Sequence, residues 1–294
     1  MVAPQTESLL KQLPSIPLFH EILDVPFFPQ EEYYCGPTTL AEILNFYGIK
    51  TEAELIAPSL FIPERRGSLQ IEMVSSARQY GLLSYAGTTT FEQLLSLVSE
   101  DIPVIVLQNL GTSWYPRWHY ALVIGYDLHD ETVLLHTGLS QRRTVSMELF
   151  ENTWRRGKYW MLAAFPPQRT SKYLDPFLYV RAAQDLMGVA KTEASLTALE
   201  SAAVQWSDYW LPYLLLGNYY MNAEPELALS WYERGAEAGS QVPSYLNNYA
   251  YALLRNGQDR EALETIQKAL AIEPDNPSLQ DSLADFLRQA EVIR

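Results

Sequence analysis

The period of the hydrophobic pattern changes twice along the chain and marks out three regions. Between residues 36 and 100, apolar positions recur at helical spacing. Leu40, Ile43, Leu44 and Tyr47 share one helix face, Pro37 suits a first helical turn, and Gly48 supplies a stop. Residues 69–80 and 91–100 read as two further helices, the first capped by Ser68 and stopped by Gly81. After residue 101 short apolar runs take over. Residues 103–108, 120–126, 132–136 and 159–165 read as strands, and the polar stretch 127–131 joins the second and third as a hairpin. Helices followed by strands predict an α+β domain over residues 25–168 with a mainly antiparallel sheet, closed by Pro166 and Pro167. Ahead of it, residues 1–24 carry prolines at 4, 14 and 17 and read as an extended lead-in.

Beyond Pro167 the strand signals vanish and a self-similarity of roughly 34 residues begins. The region 175–294 divides into units near 176–209, 210–242 and 243–276, with 277–294 as a capping helix. In the third unit Leu246, Tyr249, Ala250, Leu253, Ala262, Ile266, Ala269 and Pro274 hold positions 4, 7, 8, 11, 20, 24, 27 and 32. This spacing resembles the tetratricopeptide repeat, which implies an all-α solenoid. Small residues would let paired helices approach, and the many aromatics of 206–251 would fill the gaps between pairs. Such solenoids use concave faces for peptides and partner proteins, so a partner protein on the repeats is expected.

Composition narrows the function. The 294 residues suffice for about two domains. With 48% apolar and 19% charged residues the chain has material for real cores. The net charge is −14 and both halves are acidic, so no basic face for nucleic acid is expected. No run approaches about 18 apolar residues, so no membrane-spanning segment is expected. The N-terminal residues do not read as a signal peptide. A single cysteine excludes an internal disulfide framework. A zinc site from His119, His129, His136 and Cys35 would lack any closely spaced ligand pair, and there is no Gly-rich phosphate loop. Neither a metal nor a cofactor is expected.

The chemistry concentrates in Gln30-Glu31-Glu32-Tyr33-Tyr34-Cys35-Gly36-Pro37. A cysteine at a helix start has its sulfur near unpaired N–H groups and the positive end of the dipole, which predicts a lowered thiol pKa. Gln30 is placed to donate its amide to a developing oxyanion. An imidazole must pair with the thiol and later protonate a leaving amine, and His119 fits. It follows a Gly-, Trp- and Pro-rich loop and begins an apolar strand. The bland alternative is a buried structural cysteine and a solvated histidine.

The combination resembles papain-like cysteine peptidases, and more closely the double-glycine leader peptidases that process bacteriocin precursors. The resemblance covers about 25–165 and rests on Gln30, on Cys35-Gly36-Pro37, and on the run His119-Tyr120-Ala121-Leu122-Val123-Ile124-Gly125. It implies Cys35 as nucleophile, His119 as general base and acid, and Gln30 as oxyanion donor, acting on a peptide or protein substrate. The family carries an orienting aspartate at the end of the next strand, where this chain has Thr137. Asp127 is a poor substitute, about 26 Å along the strand at about 3.3 Å per residue. Placing Tyr126 opposite Thr132 sets Ala121 opposite Thr137, so His119 and Thr137 become diagonal neighbours and Thr137 is expected to hold the ring. Glu72 is an alternative acid, although an exposed helix carboxylate is its simpler reading. Arg142-Arg143 and Arg155-Arg156 read as solvated faces, or as pairs that meet a carboxylate. Two functions stay open: a thiol peptidase with repeats that recruit substrate, or an inactive peptidase-like scaffold. The resemblance implies an exported, lipid-anchored envelope protein whose leader has been removed; a cytoplasmic one is the alternative.

Overall fold

The computed structural model describes residues 3–30, 33–61, 68–112 and 114–292. The chain divides into two compact units, Met1–Leu178 with Ala182–Ser195, and Tyr179–Arg181 with Leu196–Arg294.

The first unit opens with helix α1 (Pro4–Lys11) and strand β1 (Phe19–Glu21). The lead-in expected to be extended is therefore partly helical. Pro4 stands in the first turn, where its missing N–H would be unpaired in any case. The helix buries Leu9, and its first amides are taken by a buried carboxylate: Gln5 and Thr6 donate to Glu151 at 3.1 and 2.7 Å.

Helices α2 (Cys35–Phe46), α3 (Ala53–Leu60) and α4 (Gln70–Gln79) follow, then strand β2 (Leu83–Thr88) and helix α5 (Phe91–Val98). Three of the helices match the apolar spacing; α3, with Pro58 inside it, did not stand out. Ser68 does not cap α4. Leu69 holds that position without a side-chain bond, and Ser68 forms a bridge with Phe61. Strands β3 (Val104–Asn109), β4 (Trp118–Asp127), β5 (Thr132–Thr137) and β6 (Ser140–Ser146), helix α6 (Met147–Arg156) and strand β7 (Trp160–Phe165) complete the domain. The sheet runs β2-β7-β3-β4-β5-β6, with β1 added to β4, and its pairings are antiparallel. Polar β6 lies at the edge, where charged side chains keep other chains from pairing. Helix α2 buries Gly36 to Leu44 and packs on β4, whose residues Tyr120 to Tyr126 are also buried. This packing delivers the start of α2 to the start of β4.

A bulge sets the register there. At the turn Asp127 pairs with Thr132 and Tyr126 with Val133, one residue off the expected pairing. Between Val123 and Gly125 the register shifts, so that Val123 pairs with Leu135 and Leu122 with His136. The expected register is thereby recovered at the far end, where Leu122 faces His136. Gly125 lies beside the bulge and opposite Glu21 of β1. A Cβ there would stand 2.7 Å from the His20 carbonyl oxygen, so glycine lets β1 close on β4.

Residues beyond 175 are helical: α7 (Pro176–Met187) and α8 (Thr192–Gln205), which have residues in both units, then α9 (Leu211–Tyr220), α10 (Pro225–Arg234), α11 (Pro243–Arg255), α12 (Asp259–Ile272) and α13 (Pro277–Val292). From α9 onward each helix packs on the next, and α11 also meets α9 and α13. Gly217 makes one such approach possible, since a Cβ there would lie 2.3 Å from the Tyr232 ring. Among the described residues no helix is long and apolar enough to cross a membrane.

Candidate active site

Cys35 is the first residue of α2, behind Tyr33 in a left-handed conformation and Tyr34 at the helix cap. A Cβ at Gly36 would meet Ser68 Oγ at 2.6 Å, so only glycine lets the helix start sit so close to Ser68. The sulfur is addressed by the backbone N–H groups of Tyr120, Gly36 and Cys35 itself. The thiol therefore lies one residue along β4 from His119.

His119 is the second residue of β4, and its Nε2 lies 2.7 Å from Thr137 Oγ1. Thr137, buried at the end of β5, thus holds the ring as expected. In the tautomer in which Nε2 donates to the hydroxyl, Nδ1 carries the free lone pair. Among the described residues no hydrogen bond joins the ring to the sulfur, a separation common in unliganded thiol–imidazole sites.

The ionisation expected for Cys35 is corrected. Burial pushes the thiol up, and the three N–H groups offset this only in part. Burial, with the charges of Arg117 and Arg143, pushes His119 down to about 4. At pH 7 the resting pair is a neutral thiol and a neutral imidazole rather than an ion pair. Iodoacetamide labelling of Cys35 is therefore expected to accelerate only above the ordinary thiol pKa of about 8.5. A plateau of fast labelling between pH 5 and 7 would contradict this.

Gln30 is 7% exposed and is zipped to the turn after Thr137. Its N–H donates to the Gly138 carbonyl, and its Oε1 accepts from the Gly138 N–H, both at 3.0 Å. The acceptor role fixes the amide orientation and leaves Nε2 as the donor end. That Nε2 is buried and, among the described residues, has no hydrogen-bond partner. An amide donor held in this state suits an oxyanion that forms only during reaction.

The other candidates go elsewhere. Glu72 is half-buried rather than exposed. Its charge acts on Tyr120, whose hydroxyl donates to the Ser68 carbonyl at 3.2 Å, while Thr137 is the residue bonded to His119. Asp127 accepts the N–H groups of His129 and Asp130 in the β4–β5 turn. His20 bonds Asp101 at 2.9 Å, and His129 is exposed in the turn. Among the described residues no group of three or more His, Cys, Asp and Glu side chains is placed to hold a metal ion. Arg142 pairs with Glu21, whereas Arg143 acts on His119. The carboxyl of Glu42 and the ring of His136, not expected from the sequence to bear on the site, lie 3.9 Å apart in the core behind it. Their signal is a charged or polar residue inside an apolar run, Leu40-Ala41-Glu42-Ile43-Leu44 and Val133-Leu134-Leu135-His136.

Residues 22–160 match the Peptidase_C39 like family. The antiparallel α+β architecture of this stretch fits that family. Similar solved structures include a protein from Bacillus anthracis described as a C39-like peptidase, at 21% identity and a TM-score of 0.41 over 52% of this chain and 98% of that one. The peptidase domain of Streptococcus ComA, a bifunctional ABC transporter involved in a quorum-sensing pathway, is 18% identical with a TM-score of 0.40, over 48% of this chain and 98% of that one. A double-glycine-motif protease from an AMS/PCAT transporter, in complex with its leader peptide, is 19% identical with a TM-score of 0.38, over 49% and 92%. A comparison with curated proteins finds no match.

Proposed function

We propose that residues 25–168 form a papain-like cysteine peptidase domain that cleaves a peptide or protein, with the helical region recruiting substrate. The observation that carries this reading is an imidazole oriented by Thr137 one residue along β4 from the amide that addresses the Cys35 sulfur. The family match over 22–160 supports it. In the reading, neutral His119 takes the thiol proton as sulfur attacks the scissile carbonyl. A C–S bond forms, and the carbonyl oxygen becomes an oxyanion that Gln30 Nε2 stabilises. His119 then protonates the leaving amine as the C–N bond breaks. Water, deprotonated by His119, attacks the thioester carbonyl; the C–S bond breaks and the proton returns to the thiolate.

The helical region reads as tetratricopeptide-type repeats. Helix starts at Pro176, Leu211, Pro243 and Pro277 support this, since they fall within a residue of the expected unit starts. Its proposed partner is the peptide or protein substrate.

The inactive scaffold is the second reading, favoured by a hydroxyl at Thr137 and by the neutral resting pair. A peptide ending in Gly-Gly-vinyl sulfone separates the two. Expected is a mass shift on the Cys35 peptide that Cys35→Ala abolishes, with cleavage of a Gly-Gly fluorogenic amide by the wild-type chain. Alkylation of Cys35 by iodoacetamide without either signal would establish the scaffold.

A further inference from the structure

Behind the site, two buried polar side chains hold the segment that carries Gln30. Residues 26–30 are irregular and lie in no strand. Glu42 on α2 is 0% exposed and His136 on β5 is 1% exposed. Glu42 Oε1 accepts the Phe28 N–H at 3.0 Å and lies 3.9 Å from His136 Nδ1. The other end of the His136 ring addresses the Pro26 carbonyl, and the Phe27 ring meets it edge-on at 5.2 Å. Pro26, Phe27 and Phe28 are thus all secured to this pair. Two residues on, Gln30 is secured to Gly138, which itself lies two residues beyond His136.

An apolar side chain would fill the Glu42 position with a smaller desolvation penalty. What the carboxyl adds is an acceptor for an amide that no strand ladder serves. Among the described residues, Glu42 Oε2 and His136 Nδ1 are both buried without a partner. Burial pushes Glu42 up to about 8 and His136 down to about 4, so it disfavours the charged form of each. Arg142, whose charge also bears on His136, is itself paired with Glu21.

We propose that Glu42 and His136 are positioning residues: as a clamp on residues 26–30, they set where the Gln30 amide stands relative to Cys35 and His119. The catalytic meaning of that position rests on the peptidase reading above. The clamp itself is a statement about Phe28 and Gln30 and can be tested separately.

The test compares Glu42→Gln, Glu42→Leu, Gln30→Ala and the double variant Glu42→Leu/Gln30→Ala in the full chain. Glu42→Gln keeps the acceptor for Phe28 and should hydrolyse a Gly-Gly fluorogenic amide within about threefold of wild type. Glu42→Leu should lower kcat by about 10- to 100-fold with KM nearly unchanged, the size expected of a misplaced donor. It should add no further loss in the Gln30→Ala background. By NMR it should shift the Gln30 side-chain amide signals and remove the exchange protection of the Phe28 N–H. Additive losses, or unchanged Phe28 protection and Gln30 signals in Glu42→Leu, would overturn the clamp. A wild-type chain that hydrolyses nothing, while Glu42→Leu still moves the Gln30 signals, would sink the peptidase reading and support the clamp. Should Glu42→Leu fail to fold, His136→Gln tests the Pro26 anchor by the same signals, with unchanged signals again overturning the proposal.

Discussion

Turnover is expected to fall by a factor of about 10⁴ or more in His119→Ala, and by about 10 to 100 in Thr137→Val. Thr137→Asp, by contrast, should raise activity or leave it unchanged. The two residues share one bond, 2.7 Å from Nε2 to Oγ1, so their effects are linked. A factor of 10⁴ is about 5.5 kcal/mol at about 1.36 kcal/mol per decade. That is the scale for losing the group that moves the proton. Losing its anchor lets the ring rotate and change tautomer, which a valine at 137 permits and an aspartate prevents. A carboxylate would also stabilise the imidazolium formed during attack, which a hydroxyl cannot do. It would moreover oppose the burial and the two arginine charges that hold His119 near 4. The measurement is kcat/KM on the Gly-Gly fluorogenic amide across the series, with circular dichroism as the folding control. A Thr137→Asp chain that folds normally yet loses all thiol reactivity would show the orientation argument to be wrong.

The second large effect belongs to Gln30. Its alanine variant should lose about 10²- to 10³-fold in kcat, the range for removing one oxyanion donor. Alkylation of Cys35 by iodoacetamide should be unaffected, because that reaction forms no oxyanion. The separation follows from the geometry: Gln30 bonds the turn after Thr137 through its oxygen, while its nitrogen is buried without a partner among the described residues. A parallel loss of alkylation would instead mean that Gln30 supports the fold around the thiol.

Much of this arrangement was legible in the residues, and the failures have identifiable causes. Helices α2, α4 and α5 and strands β3, β4, β5 and β7 follow from apolar spacing, because each buries a continuous face. Helix α1 was hidden by prolines read as breaks, when Pro4 is a helix start. Strand β6 was hidden because an exposed edge strand lacks an apolar pattern. The meeting of His119 and Thr137 was anticipated with a hairpin one residue out at its turn, and the bulge beside Ile124 restored the register at the site. The ionisation of Cys35 was misjudged for a different reason. A helix start is visible in sequence; the strand that covers it is not, and burial outweighed the helix terminus.

The covering of Cys35 also bears on how the chain tolerates oxidants. Peroxide attacks thiolates, so a thiol held protonated and partly enclosed climbs the ladder to sulfenic and sulfinic acid slowly. With no second cysteine in the sequence there is no resolving thiol to trap a sulfenic acid as an internal disulfide. Any oxidation at this position would therefore have to be reversed by an external reductant or be carried on to an irreversible end. A lone thiol without that recourse is protected mainly by remaining protonated.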